Sequence, residues 1–222
     1  MPPTIDIFRH AQARHNVEPN GDGLRDPHLT AKGMAHAEAL RGMFPHASKV
    51  RRIISSPMRR TVQTALIAFG PTIQEGNMKV VLVPELEECS ARPSDMGSPA
   101  PELRAEFGHV LDLQFLSDGW WYKGGSTSYG RRNQAKVAAR ARRARLYIRR
   151  VARELDDDDH LVVVAHSGFI RHLIQGAPRF RTAETRPCRF VDLFADDGEA
   201  LLAELGRDAA GCGEQAPPPR IA

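Results

Sequence analysis

The sequence predicts an α/β fold: a three-layer sandwich with a mostly parallel central sheet flanked by helices, plus an irregular insertion hanging over a site. Three observations carry that expectation. Short β-branched or apolar runs alternate along the chain with segments of helical periodicity, the order that builds a parallel sheet. The run "HLVVVAH" (160–166) is apolar almost throughout, as in a central strand covered on both faces. Between about 131 and 155, Val137, Ala141, Ala144, Ile148, Val151 and Leu155 recur at three and four residues and mark one buried helical stripe.

The elements follow in order. Residues 4–8 alternate and are β-branched, which predicts the first strand. "LTAKGMAHAEALRGMF" (29–44) is a helix with Thr30 as N-cap and Leu40, Met43 and Phe44 on its apolar face. "RRIISS" (51–56) is a short strand. A helix then opens within "SPMRRTVQTALIAF": Ser56 caps it, Pro57 takes the first position, where its missing N–H costs nothing, and Val62, Leu66 and Phe69 share a face. "KVVLVPEL" (79–86) is a third strand, ended by Pro84. Residues 88–130, rich in Pro, Gly and Ser, form the insertion, with one helix near 100–116 and Trp120 and Trp121 as packing residues.

The arginines of the 131–155 helix are expected on a solvated basic face. Residues 156–159 are a turn, since four adjacent aspartates without glycine or return ligands make a poor calcium loop. "SGFIRHLIQG" is a short helix after the central strand, and "RFVDLFA" (189–195) is a last strand at a sheet edge. A single domain over 1–208 and a mobile tail over 209–222 complete the expected organisation.

With 222 residues, the chain is long enough for one well-cored domain. No window approaches 18 consecutive apolar residues, and the N-terminus lacks a basic segment followed by an apolar core. The expectation is a cytoplasmic protein without membrane contact. Cys89, Cys188 and Cys212 are odd in number and share no metal-ligand spacing, which fits a reducing compartment and argues against a disulfide framework. The net charge of +4 suits nucleic acid, an anionic small substrate or a solvated helix face, and does not choose among them.

Position chooses. In open α/β sheets, sites lie beyond the carboxyl ends of the strands. The first strand ends in Arg9 and His10. The second leads through Ser55, Ser56 and Pro57 to Arg59 and Arg60, and the strand at 160 ends in His166, Ser167 and Gly168. Two arginines, two histidines and a helix N-terminus at one edge describe an anion site, most naturally for phosphate. One neutral imidazole can attack phosphorus while the other, protonated, neutralises charge on the equatorial oxygens. A carboxylic acid is the usual group to protonate the leaving oxygen.

These residues resemble the histidine phosphatase superfamily, which includes cofactor-dependent phosphoglycerate mutases and many phosphatases. Its Arg-His-Gly hallmark reads Arg9, His10, Ala11 here, with Asn16 at the spacing of a phosphate-contacting asparagine. "LTAKGMAHAEAL" resembles the family's Leu-Thr-x-x-Gly-x-x-Gln-Ala helix, with His36 in place of glutamine. "SSPMRRTVQTA" resembles Ser-Ser-Pro-x-x-Arg-x-x-x-Thr-Ala and puts the second pocket arginine at Arg60; "VVVAHSGFIR" resembles the second-histidine motif and puts that role on His166. The matches run in order over residues 5–175. "ECSARPSDMGSPAPEL" and "GWWYKGG" look like a fungal phosphoglycerate-mutase-like branch.

The resemblance implies a phosphomonoesterase needing neither metal nor cofactor and acting on a small phosphorylated metabolite. His10 would be phosphorylated transiently, held by Arg9, Arg60, His166 and Asn16. Glu88, in a Leu-x-Glu stretch after the third strand, would be the proton donor, with Asp95 as its rival. Ala11 and Ser167 both stand where glycine is usual; the Ser167 hydroxyl could donate to the phosphate. Arg14 is a further candidate anion contact, and Arg59 is a partner outside the site. Cys89 and Ser90 follow Glu88 where the mutases continue their longer donor motif, which argues against glycolytic mutase activity. Nothing in the sequence marks Cys89 as a nucleophile. His28, His36, His46, His109, His160 and His172 are read as structural or exposed. Two rival functions stand beside the phosphatase: a pocket redirected to a carboxylate or a non-hydrolytic step in a natural-product pathway, and a non-catalytic binding module. A nucleic-acid partner is not expected, and the sequence leaves monomer and homodimer equally open.

Overall fold

The structure is a computed structural model describing residues 1–123 and 133–206. Its seven strands are β1 (Thr4–Arg9), β2 (Val50–Ser55), β3 (Val80–Leu82), β4 (Leu111–Asp112), β5 (His160–Ala165), β6 (Thr185–Phe190) and β7 (Leu202–Glu204). The helices are α1 (Ala31–Met43), α2 (Arg59–Glu75), α3 (Ala100–Phe107), α4 (Gln134–Ala152) and α5 (Ser167–Leu173). The strands form one sheet in the order β4-β3-β2-β5-β1-β6-β7. Strands β1 to β5 run parallel, whereas β6 and β7 add as antiparallel partners.

The period of two along each strand sorts the core into two layers. Ile5, Ile7, Ile54, Leu161 and Val163 face α4 and α5, with Val137, Ala144 and Phe169 packed on them. Phe8, Ile53, Leu82, Val162 and Val164 face α2, against Val62, Ala65 and Phe69. The three-layer α/β sandwich expected from the sequence is therefore present. Strand β5 is buried at all six positions because both its faces are covered.

Local chemistry explains the element ends. Thr30 caps α1 by accepting from the Gly33 N–H at 2.9 Å. Met43 is 67% exposed, however, and the buried face of α1 is Gly33, Ala37 and Leu40. Phe44, one residue past the helix, turns back onto Phe8 and Phe69. Helix α2 begins at Arg59, two residues later than expected, with no side-chain cap. The Ser56 hydroxyl is engaged by His166 instead. Pro71 lies inside α2 and cannot donate to the Ile67 carbonyl four residues back. The Arg41 guanidinium of α1 supplies that bond, with Nε 3.1 Å from the carbonyl oxygen.

Other expectations need correction. Strand β3 stops at Leu82, and Pro84–Leu86 forms a 3₁₀ turn. The helix near 100–116 ends at Phe107, where Gly108 takes φ +73°, and Leu111–Asp112 then joins the sheet as β4. The predicted edge strand at 189–195 is instead β6, which pairs with β1 on one side and β7 on the other. The basic face of α4 is only partly solvated, since Arg140, Arg145 and Arg149 are 2–4% exposed. Their stems are buried while their guanidiniums satisfy loop carbonyls and carboxylates. Arg145 donates to the carbonyls of Glu199 and His172, and Arg149 pairs with Asp197 at 2.8 Å.

Trp120 is buried in the insertion beside Trp121. The expected tail at 209–222, Cys212 and part of the expected insertion lie outside the described residues. Among the described residues, no helix is long and apolar enough to cross a membrane.

Candidate active site

Strands β2, β5 and β1 are parallel neighbours, so their carboxyl ends meet. Arg9 pairs in register with Ala165, and Ser55 with Val164. The chain holds this edge beyond the strands: His10 N–H donates to the Ala165 carbonyl at 3.0 Å, and Ser56 N–H to the Val164 carbonyl at 2.9 Å. The His10 and His166 rings consequently stand 5.2 Å apart, centroid to centroid. A cavity of about 580 Å³ opens there, lined by Arg9, His10, Arg60, Glu88, Asp95 and Ser167 among others.

His10 is 2% exposed, with Nδ1 2.7 Å from the Ala11 carbonyl oxygen. A carbonyl only accepts, so Nδ1 carries the proton and Nε2 the lone pair. Burial, then the charges of Arg60 and Arg9, hold His10 well below the usual imidazole range. A neutral imidazole with a free Nε2 is a competent nucleophile.

His166 is fully buried and does not itself line the cavity. Arg60 Nη2, which can only donate, lies 3.2 Å from His166 Nδ1, so Nε2 bears the hydrogen and donates to Ser56 Oγ at 2.9 Å. Burial and Arg60 also push His166 well down. The expectation of a protonated second histidine is thus not met in this arrangement: an arginine occupies the side where a stabilising carboxylate would have to be.

Arg60 is 1% exposed and reaches the Ser94 carbonyl at 2.6 Å, Asp95 Oδ1 at 2.9 Å and His166. Arg9 donates to the Phe180 carbonyl at 2.9 Å. Among the described residues, the Nε atoms of Arg9 and Arg60 are buried without a hydrogen-bond partner. Unpaired donors on two arginines lining one cavity suit an anion.

The two candidate acids differ in their attachments. Asp95 is committed on both oxygens, to Arg60 and to Ser90 Oγ at 2.5 Å. Glu88 is held by two backbone donors: Oε2 accepts from Gly168 N–H at 3.0 Å and Oε1 from Cys89 N–H at 2.9 Å. A side chain at Gly168 would overlap that carboxylate. Burial, then Glu88, pushes the Cys89 thiol up to about 12, which keeps it protonated and unreactive.

Asn16 lines the cavity; its Oδ1 accepts from Ala13 N–H and its Nδ2 donates to His15 Nε2 at 2.9 Å. Ser167 lines it too, with Oγ donating to the Phe180 carbonyl at 3.2 Å and an ordinary negative φ. Arg14 is turned outward: its side chain is 52% exposed, pairs with Glu18, and does not line the cavity. Arg59 pairs with Asp26, Glu102 and Glu106, also outside it.

Sequence reasoning passed over several lining residues. His15 stands 5.7 Å from His10, lowered to about 4 by burial and then by Arg60. Arg171 and Arg179 line the cavity exposed and without a hydrogen bond or ion pair among the described residues, whereas Arg92 pairs with Asp22 at 2.6 Å. Arg171 belonged to the quoted "HSGFIR" segment, one helical turn past Ser167, and that spacing was the available signal.

A family model described as histidine phosphatase superfamily (branch 1) matches residues 5–193. A Schizosaccharomyces pombe protein named a probable phosphatase is 31% identical over 106 residues, covering 47% of this chain and 49% of that protein. The chain thus spans about half the length of that relative. An Arabidopsis thaliana phosphoglycerate mutase-like protein is 28% identical over 209 residues, 77% of this chain and 73% of its own. Among solved structures, the mycobacterial glucosyl-3-phosphoglycerate phosphatase complexed with VO3 superimposes with a TM-score of 0.59 at 18% identity, covering 91% of this chain and 97% of that one. The ecdysone phosphate phosphatase from Bombix mori gives 0.61 at 13% identity, covering 84% and 89%. These two likenesses concern the fold.

Proposed function

Since the chain belongs to the histidine phosphatase superfamily, branch 1, we propose that it is a phosphomonoesterase working through a phosphohistidine on His10. The observation that carries this reading is the bond from His10 Nδ1 to the Ala11 carbonyl, which leaves Nε2 as the lone-pair nitrogen of a neutral ring beside two arginines.

In the first step Nε2 attacks phosphorus, and the bond to the leaving oxygen breaks as Glu88 delivers a proton to it. Arg9, Arg60 and Asn16 hold the equatorial oxygens, the Ser167 hydroxyl adds a donor when it turns from the Phe180 carbonyl, and His166 braces Arg60 from behind the cavity wall. In the second step Glu88, now a carboxylate, takes a proton from water as the water oxygen attacks phosphorus. His10 leaves neutral and inorganic phosphate is released. No metal ion or cofactor enters either step. Asp95 acts through Arg60, because both its oxygens are already spoken for. The cavity, at about 580 Å³, suits a small phosphorylated metabolite.

The test is turnover of p-nitrophenyl phosphate in the presence of EDTA, comparing wild type with His10→Ala, together with trapping of a base-stable, acid-labile phosphoenzyme by a denaturing quench at alkaline pH. Turnover that survives the substitution, or depends on added metal, overturns the reading.

A further inference from the structure

Resting on Glu88 as the proton donor, we infer that Lys123, Arg140 and Glu87 are positioning residues that fix the donor by clamping its peptide unit from behind. Glu87 follows a 3₁₀ turn with extended backbone, φ −67° and ψ 163°. Adjacent side chains on extended backbone point opposite ways. Glu87 accordingly turns inward and is fully buried, while Glu88 turns to the cavity.

Two buried cations bracket this pair. Lys123 Nζ donates to the Glu88 carbonyl at 2.7 Å and lies 3.2 Å from Glu87 Oε2. Arg140 Nη2 donates to the same carbonyl at 3.3 Å, and its Nη1 lies 3.4 Å from Glu87 Oε1. The Arg140 guanidinium also lies 4.7 Å from the centre of the Phe169 ring, next to the Gly168 N–H that holds the donor carboxylate. The donor is thereby tied at its carbonyl to α4 and the insertion, and at its carboxylate to α5.

Burying a lysine, an arginine and a glutamate together is costly, and a packed apolar cluster would fill the same space at less expense. Burial pushes Glu87 up to about 7 in spite of both cations. What apolar residues could not do is hold one carbonyl with two charge-assisted hydrogen bonds. On this inference the insertion contributes Lys123 to the catalytic geometry, in addition to walling the cavity.

The test compares two substrates within each variant. p-Nitrophenyl phosphate expels a stabilised phenolate and has little need of an acid, whereas glycerol 3-phosphate expels an alkoxide and depends on one. The readout is the ratio of kcat/KM for glycerol 3-phosphate to kcat/KM for p-nitrophenyl phosphate, which reports only the steps up to departure of the leaving group and does not depend on the fraction of enzyme that folds. Glu88→Gln should lower the ratio about a hundredfold. Lys123→Met should lower it about tenfold, as should the double variant Glu87→Gln/Lys123→Met, which removes one charge of each sign and keeps the net charge of the cluster, with Arg140 still in place.

If Glu88→Gln lowers the ratio while both clamp variants leave it unchanged, the clamp is overturned and the donor assignment stands. A ratio unmoved by Glu88→Gln removes the donor assignment itself, and the clamp with it. A fall in the ratio in all three variants supports both.

Discussion

Replacing Gly168 with alanine should separate activity from stability. A Cβ built at Gly168 lies 2.9 Å from the Glu88 carboxyl carbon. Non-bonded carbons settle at about 3.5–4.0 Å, so the carboxylate must retreat by roughly 0.6–1 Å. It then loses the 3.0 Å bond from the Gly168 N–H. Misplacing a catalytic group by about 1 Å can cost about 100-fold in rate. Gly168 sits within α5 without a positive φ, so its backbone accepts alanine. Alanine should even favour the helix by up to about 1 kcal/mol, less the cost of moving Glu88. The expected result is a fall of about 100-fold in kcat for alkyl phosphates, with a Tm equal to wild type or up to a few degrees higher. Steady-state kinetics and thermal unfolding on one preparation check it. Activity within threefold of wild type would refute both the crowding and the role given to Glu88.

Two further outcomes follow from local chemistry. His15 is lowered to about 4 by burial and Arg60, so the unfolded chain binds its proton first as pH falls. The stability due to neutral His15 is full above about 6.5 and is lost as pH drops toward 4. Wild type should therefore lose stability relative to His15→Asn over that window in urea titrations, and parallel curves would contradict it. Comparison with the variant cancels the opposing contribution of Glu87, whose raised value favours the folded state as pH falls. Arg41→Met strips the donor from the Ile67 carbonyl left open by Pro71, and should cost about 0.5–1.5 kcal/mol in chemical denaturation with kcat unchanged.

What was legible in the sequence was whatever depends on short-range pattern. The unbroken apolar run at β5, the alternation in β1 and the stripe on α4 announce burial by their own period, and together they specify the sandwich. The residues at the strand ends were legible as well, because parallel neighbours must deliver their carboxyl ends to one edge. Ser56, by contrast, looked like a helix cap, and only the fold shows His166 beside it. The arginines of α4 looked like a solvent face, and became buried through carbonyls and carboxylates far along the chain.

The sequence ranks Glu88 above Asp95 only through the resemblance of its Leu-x-Glu stretch, since both follow β3 in an irregular segment. The tertiary structure ties Asp95 to Arg60 and leaves Glu88 on two backbone donors, the Gly168 N–H of α5 and its neighbour Cys89 N–H. Lys123 carried no sequence signal at all, because its partner is a carbonyl 35 residues away. Period is a property of neighbours along the chain, so the sequence alone determines the main strands and helices of the sandwich and the residues that end those strands, while strand order is settled by packing. Which group each buried charge meets depends on contacts between distant segments, and only the packed structure decides it.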